Sequence, residues 1–263
     1  MGRTKKSLSE SVESETVIIE VGADETLGDK IEKTKVRQKS YLLDLRIHSP
    51  ASLGYLALEG IDTAPALVRL ARVKGLDVIA VTDFYSASSV DKIREAARGS
   101  DLTVLPGTVI RCALPGCDDV VLSCLFPEET PGVAIEHFLR QLGVPASAAG
   151  AKNYVIRQPF AQVLAAIERA GAVALPSRMD KTPHRMAAIQ TLVELYGFRA
   201  FDLAYPDSAR IFKSRWPKIK FRLFSFSNAN ALAQVGSRIA KVKMQNPGFP
   251  GIQEMIAREI RPE

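Results

Sequence analysis

From Tyr41 onward, short runs of apolar and β-branched residues alternate with stretches whose apolar side chains recur every three to four positions. A period of two suits a strand and a period near 3.6 a helix. Repeated strand–helix units bury both kinds of face only when helices cover a mostly parallel sheet or barrel. Residues 41–47 (YLLDLRI), 76–82 (LDVIAVT), 102–105, 109–113, 120–126, 172–175, 200–204, 221–226 and 239–244 read as strands. Residues 63–74, 88–98, 133–142, 160–170, 187–196 and 252–259 read as helices. Thr63 is the expected N-cap of the first helix and Gly75 its stop. Leu114-Pro115-Gly116 signals a turn between two strands. Residues 127–159 are the least regular part, and Asn246 to Pro250 reads as a breaker before the last helix.

A chain of 263 residues fits one large α/β domain or two small ones. No apolar run approaches the roughly 18 residues that a membrane span needs, so no membrane role is expected. Met1 to Lys6 lacks the apolar stretch of a signal peptide. Three cysteines exclude a disulfide scaffold and suit a reducing cytosol, so a cytoplasmic location is expected. The net charge of +6 permits contact with phosphates without arguing for it. Residues 1–40 hold eight Lys/Arg and eight Asp/Glu. They read as a flexible extension with an edge strand at 16–21 (TVIIEV), and as a docking arm for a protein partner. Residues 41–263 then form the barrel domain. The oligomeric state is not set by any of these features.

In parallel α/β folds the site lies beyond the carboxyl ends of the strands. Those positions hold Asp44-Leu45-Arg46-Ile47-His48-Ser49, Thr82-Asp83-Phe84, Pro106-Gly107-Thr108-Val109, Ser177-Arg178-Met179-Asp180 and Ser227-Asn228-Ala229-Asn230. Six segments of the chain, in order, resemble the PHP (polymerase and histidinol phosphatase) superfamily. DLRIHSPAS is similar to D-L-H-x-H-[ST]-x-x-S, and GLDVIAVTDF to G-L-D-x-I-A-I-T-D-H. LTVLPGTVI is similar to L-x-V-L-P-G-x-E-[IV], and DVVLSCLF to x-H-[IL]-L-x-L-F. AGAVALPSRMD is similar to G-G-x-x-I-P-A-H-x-D, and SFSNANALAQVG to x-S-S-D-A-H-x-x-x-x-[IV]-G. The resemblance covers residues 41–126 and 161–245 and implies a distorted (β/α)7, TIM-like barrel.

The family holds zinc, manganese or iron with a set of His, Asp and Glu side chains. Carried over, the first His of the opening pair falls on Arg46, and the second is retained as His48. The remaining positions fall on Phe84, Val109, Val121, Arg178, Asn228 and Asn230. One of eight ligands survives, beside Asp83, which in the family orients the site. Metals need imidazole, thiolate or carboxylate donors in number, so no metal cofactor is expected.

The resemblance therefore implies a degenerate site and a pseudoenzyme: a ligand-binding, regulatory or scaffolding module. A metal-dependent phosphoesterase and a nucleic-acid-associated protein are the alternatives. Arg46, His48, Arg178, Asn228 and Asn230, with Asp83 beside them, could form a metal-free pocket for an anionic small molecule. Alternatively the arginines pair with Asp44, Asp83 or Asp180 and fill the vacated space. His48 reads either as a general base beside Asp83 or as a residue hydrogen-bonded within the mouth. Cys112, Cys117 and Cys124 read as buried thiols, and His137 and His184 as surface residues. Residues 210–222 (RIFKSRWPKIKFR) carry six Lys/Arg interleaved with Phe212, Trp216 and Phe221. That pattern suits single-stranded nucleic acid, or a solvated basic face with its aromatics tucked inward. The isolated stripe argues against nucleic acid as the main partner.

Overall fold

Apart from an additional short helix at Ala209–Arg215, strands and helices follow one another in the order the periodicity predicts. The computed structural model describes residues 39–259. The expected strand at 16–21, and all but the last two residues of the extension, lie outside the described residues. Among the described residues there are eight strands: β1 (Lys39–Ile47), β2 (Val78–Phe84), β3 (Thr103–Leu114), β4 (Cys117–Leu125), β5 (Val173–Pro176), β6 (Ala200–Asp202), β7 (Arg222–Phe224) and β8 (Ala240–Met244). Seven α-helices accompany them: α1 (Thr63–Val73), α2 (Val90–Ala97), α3 (Gly132–Gln141), α4 (Phe160–Arg169), α5 (Pro183–Glu194), α6 (Ala209–Arg215) and α7 (Phe249–Ile256). None of the described helices is long and apolar enough to cross a membrane.

The α/β class is as expected, but the sheet is mixed and the barrel is not closed. Six strands form one curled sheet in the order β5-β4-β3-β2-β1-β8, and β6 and β7 form a separate pair. The β1/β2, β2/β3 and β6/β7 ladders are parallel. The β3/β4, β4/β5 and β1/β8 ladders are antiparallel. The two sheets meet at one bridge, Ser177 to Asp202. The tight turn between β3 and β4 forces part of this result, because parallel strands need a long crossover. Gly116 closes that hairpin with φ +81°, a conformation that costs other residues strain.

The expected strands at 102–105 and 109–113 are one strand. β3 runs on through Pro106-Gly107, where a side chain would collide. A Cβ on Gly107 would sit 2.8 Å from the Cys124 carbonyl oxygen. Helix starts also moved. Asp62, not Thr63, caps α1, its carboxylate accepting from the Ala64 amide. Thr182 caps α5 and Pro183 opens it, so the helix begins before 187. Pro250 sits in the first turn of α7 rather than stopping it, because a first-turn proline removes an N–H that has no helical partner.

Two apolar clusters hold the domain. Leu43, Leu45, Val78, Ala80, Leu105 and Phe226 pack into one cluster together with Ile252 and Met255 of α7. The larger cluster joins the other face of the strands to the surrounding helices, with Ile79 and Val81 packing among Leu67, Val90 and Ile93. Between the two faces β1 slips register. Asp44 pairs with Ile79 but Ile47 with Val81, so β1 carries one extra residue between them. Such a bulge re-aims a side chain. Here it leaves Leu45 in the inner cluster while Arg46 also turns toward the strand ends.

Candidate anion site at the strand ends

Arg46 is the centre of the site. It is 2% exposed. Its Nε donates to Asn228 Oδ1 at 2.7 Å, and its Nη1 donates to Ser123 Oγ at 3.0 Å. The guanidinium carbon lies 6.0 Å from the Phe84 ring centroid. Burial lowers its pKa to about 10, so it stays charged at neutral pH; Asp202 opposes that shift, and Arg178 and Arg185 add to it.

His48 stacks on Phe84, with centroids 5.4 Å apart and planes 17° from parallel. Its Nδ1 lies 3.3 Å from Ser52 Oγ. Its Nε2 is buried with no hydrogen-bond partner among the described residues. Burial, followed by the Arg46 charge, pushes its pKa down to about 3. At neutral pH the imidazole is neutral, with one unused ring nitrogen.

Asp83 does not contact His48 directly. It accepts from the Ser49 amide at 2.7 Å, from Ser49 Oγ at 2.5 Å and from Ser52 Oγ at 2.6 Å. Ser52 thus bridges Asp83 and His48, and Asp83 anchors the loop that follows β1. Burial raises its pKa against these hydrogen bonds.

The other carboxylates are also engaged away from the arginines. Asp44 accepts from Ser227 Oγ at 2.5 Å and from the Ser227 and Gly236 amides. Asp180 accepts from the Ala204 and Tyr205 amides. Among the described residues, neither Arg46 nor Arg178 forms an ion pair within 4.0 Å with any of these groups. The expectation that Asp44, Asp83 or Asp180 would neutralise the arginines therefore does not hold. Backbone amides and serines took the carboxylates first.

Asp202, at the end of β6, is the nearest acidic influence. It is 1% exposed, and one oxygen accepts from the Phe226 amide at 3.0 Å. The other oxygen has no partner among the described residues. Burial raises its pKa, while the charges of Arg46 and Arg178 pull it down. Asp180 adds a like charge nearby. A cluster of cations, Arg178, Arg185, Lys152 and Arg46, surrounds Lys181. Lys181 feels all of them: its pKa is lowered first by burial, then by Arg178, Arg185, Lys152 and Arg46. Arg185 is paired with Asp119 at 2.8 Å, and that carboxylate is shared with Arg111.

Among the described residues, three non-glycine residues have positive φ: Tyr85 (48°), Arg178 (55°) and Asn228 (51°). Each follows a strand end. Such conformations cost about 1–3 kcal/mol each and concentrate where function demands them. Asn230 contributes its backbone rather than its side chain: its carbonyl accepts from Leu56 N and its amide donates to Gln234 Oε1.

The structure thus brings Arg46, His48 and Asn228 together and attaches Asp83 through Ser52. Arg178 joins through its charge, with its amide donating to the Asp202 carbonyl at 2.5 Å. Sequence reasoning missed Ser52, Ser123, Asp202, Lys152, Lys181 and Arg185. Asp202 stood inside a predicted strand and could have been found by the strand-end rule. Lys152 lies in an irregular loop and gave no signal. The thiols of Cys112, Cys117 and Cys124 are free and buried, and His137 and His184 lie on the surfaces of α3 and α5. The aromatics of the basic stripe are inside: Phe212 packs on Phe201, Trp216 and Phe221.

No protein-family model matches the sequence, and no curated protein matches it. Solved structures do match. The lesion-specific endonuclease PfuEndoQ from Pyrococcus furiosus superposes with TM-score 0.61 at 14% identity, over 83% of this chain and 56% of that one. The chain therefore spans little more than half the length of that endonuclease. A Bifidobacterium adolescentis protein assigned as a metal-dependent phosphoesterase gives 0.50 at 13% identity, over 83% and 96%. An amidohydrolase from Chromobacterium violaceum, solved with sulfate and no metal, gives 0.56 at 12% identity, over 82% and 97%. At 12–14% identity these likenesses show the fold alone: a mixed α/β half-barrel shared with these three proteins.

Proposed function

We propose that the strand ends form an oxyanion site in a PHP-like domain that has exchanged metal ions for side-chain cations. The domain would bind an anionic small molecule, phosphate-bearing or carboxylate-bearing, without hydrolysing it. One observation carries this reading. Arg46 is buried and charged, its hydrogen bonds go to neutral partners, and no carboxylate lies within ion-pair distance among the described residues. A guanidinium matches an oxyanion in geometry and charge.

The residues at these positions do not fit a divalent metal. Phe84, Val109 and Val121 offer no lone pair, and His48 is a single imidazole beside a fixed cation. Two unit charges 4 Å apart repel by about 4 kcal/mol at an effective dielectric of 20, and a dication doubles that. One imidazole does not offset it. The sulfate held without metal by the amidohydrolase neighbour supports the same chemistry. Three buried free thiols suit a reducing cytoplasm.

A second reading, hydrolysis of phosphate esters, is supported by the names of the phosphoesterase and endonuclease neighbours. Elemental mass spectrometry separates the two. The protein is purified without a metal-affinity step and dialysed against zinc, manganese and iron. Near-zero stoichiometry is expected, together with a rise in Tm on adding inorganic phosphate that chloride at matched ionic strength does not give. Two or three metal equivalents per chain would restore the phosphoesterase reading.

A further inference from the structure

The half-barrel is open between β7 and β8. Neither strand pairs with another on its outer edge among the described residues. A groove of about 420 Å³ runs between them, lined by Arg222, Phe224, Lys241, Val242, Lys243 and Met255, among others. Unpaired strand edges are templates for another strand. The burial of β8 alternates: Ala240 and Met244 are buried and Val242 half-buried, while Lys241 and Lys243 face solvent. The groove therefore has an apolar floor and a basic rim. Glu254 is the one acidic residue among its lining.

The chain preceding β1 enters at this place. Lys39 pairs with Met244, which itself lines the groove. Upstream, residues 10–29 carry seven Asp/Glu and no Lys or Arg. Within them lies TVIIEV (16–21), the longest apolar run before β1. Residues 22–38 can span more than about 50 Å when extended, ample for the chain to fold back.

We propose that residues 16–21 of the same chain dock in this groove as a strand added beside β8. Val17, Ile19 and Val21 share one face, by the period of two, and meet the apolar floor. Glu20 lies on the other face, with Lys241 and Lys243. Opposite charges on neighbouring strands favour this register over its one-residue slip. The proposal is independent of what the strand ends bind.

Hydrogen–deuterium exchange on the full chain tests it. Amides of 17–21 are expected to exchange at least about tenfold slower than in an unstructured peptide. Glu20→Lys, which leaves the apolar face intact, should lose most of that protection, and adding Lys241→Glu and Lys243→Glu should restore it. Peptides from β2 to β4 report that the fold is intact. Exchange of 17–21 at the unstructured rate in the wild type would overturn the proposal, as would protection that Glu20→Lys leaves unchanged. Protection that appears only at concentrations where the chain dimerises would assign the groove to the partner copy's arm and overturn it equally.

Discussion

Arg46 Nε donates to Asn228 Oδ1 at 2.7 Å across 182 positions of sequence, tying the end of β1 to the loop after β7. This bond spans the side of the half-barrel where no continuous ladder runs. It also fixes a charged group in the interior without a counter-ion. Such a group costs stability unless a ligand supplies the missing charge.

Replacing Arg46 therefore separates stability from binding. Arg46→Met keeps most of the buried volume and removes the charge. Swapping a buried ionic group for an apolar one of similar size is often neutral or stabilising, by about 1–4 kcal/mol. Chemical denaturation of the ligand-free variant is expected to show an unchanged or higher midpoint, with Asn228 and Ser123 losing one partner each. The phosphate-induced rise in Tm should vanish. A large destabilisation with that rise retained would make Arg46 a structural residue only.

Stability against pH carries the signature of His48. Its folded pKa is about 3, against 6.5 for an exposed imidazole. Its contribution is full above pH 6.5 and is lost as pH falls toward 3. Asp44 acts oppositely: burial raises its pKa from 3.8 to about 7, so its contribution is full at low pH and is lost as pH rises through that window. The two slopes oppose each other between pH 4 and 6.5, at up to about 1.4 kcal/mol per pH unit each. His48→Gln removes one of them. The stability of the wild type minus that of the variant should rise with pH from about 3 to 6.5 and then level off. A difference independent of pH, measured by urea denaturation, would mean that His48 is not buried in its neutral form.

Much of this was legible beforehand. The strand–helix alternation predicted each of the eight strands, and the strand-end rule led to Arg46, His48 and Asn228. The β3/β4 hairpin is visible as Pro115-Gly116, but the antiparallel β4/β5 side of the sheet that follows from it is not recorded in the strand–helix alternation. Partner choice was harder to see. Whether Asp44 would meet an arginine or the Gly236 amide depends on where the chain folds back, and no local pattern records that. Burial of the aromatics in 210–222 likewise follows from tertiary packing, since a basic–aromatic stripe has the same local pattern on a surface and at an edge of the core.

Trp216 distinguishes those two settings. It is 8% exposed, packs on Phe212 and Phe221, and its Nε1 donates to Glu194 Oε1 at 3.0 Å. Trp216→Ala should cost about 3–5 kcal/mol of stability, the range for large aromatic truncations in a core. A stacking platform for single-stranded nucleic acid would behave differently, losing affinity at unchanged stability. Comparing the denaturation midpoint with salt-dependent binding to an oligonucleotide decides the point. Unchanged stability with weakened binding would return the stripe to a nucleic-acid role.

The last prediction rebuilds what the strand ends lack. Arg46→His, Phe84→His, Arg178→His and Asn230→His, with Val109→Glu and Asn228→Asp, restore six donors beside His48. The first change also removes the charge that helps hold the His48 pKa near 3. Phe84→His replaces the ring on which His48 stacks, while Val109 pairs with Phe84 across β2 and β3, so these two new donors would stand side by side. Asn228→Asp keeps the shape of a side chain already aimed at position 46. The combined variant is expected to bind zinc or manganese at micromolar or tighter levels by titration calorimetry, with protons released as imidazoles lose them to the metal. Each imidazole also leaves a buried site needing a hydrogen-bond partner when metal is absent, so the metal-free variant should melt below the wild type and recover on adding zinc. A folded variant that bound no metal would mean that these positions do not converge as a ligand set, and the correspondence with the family's motifs would fail at the site while surviving in the fold.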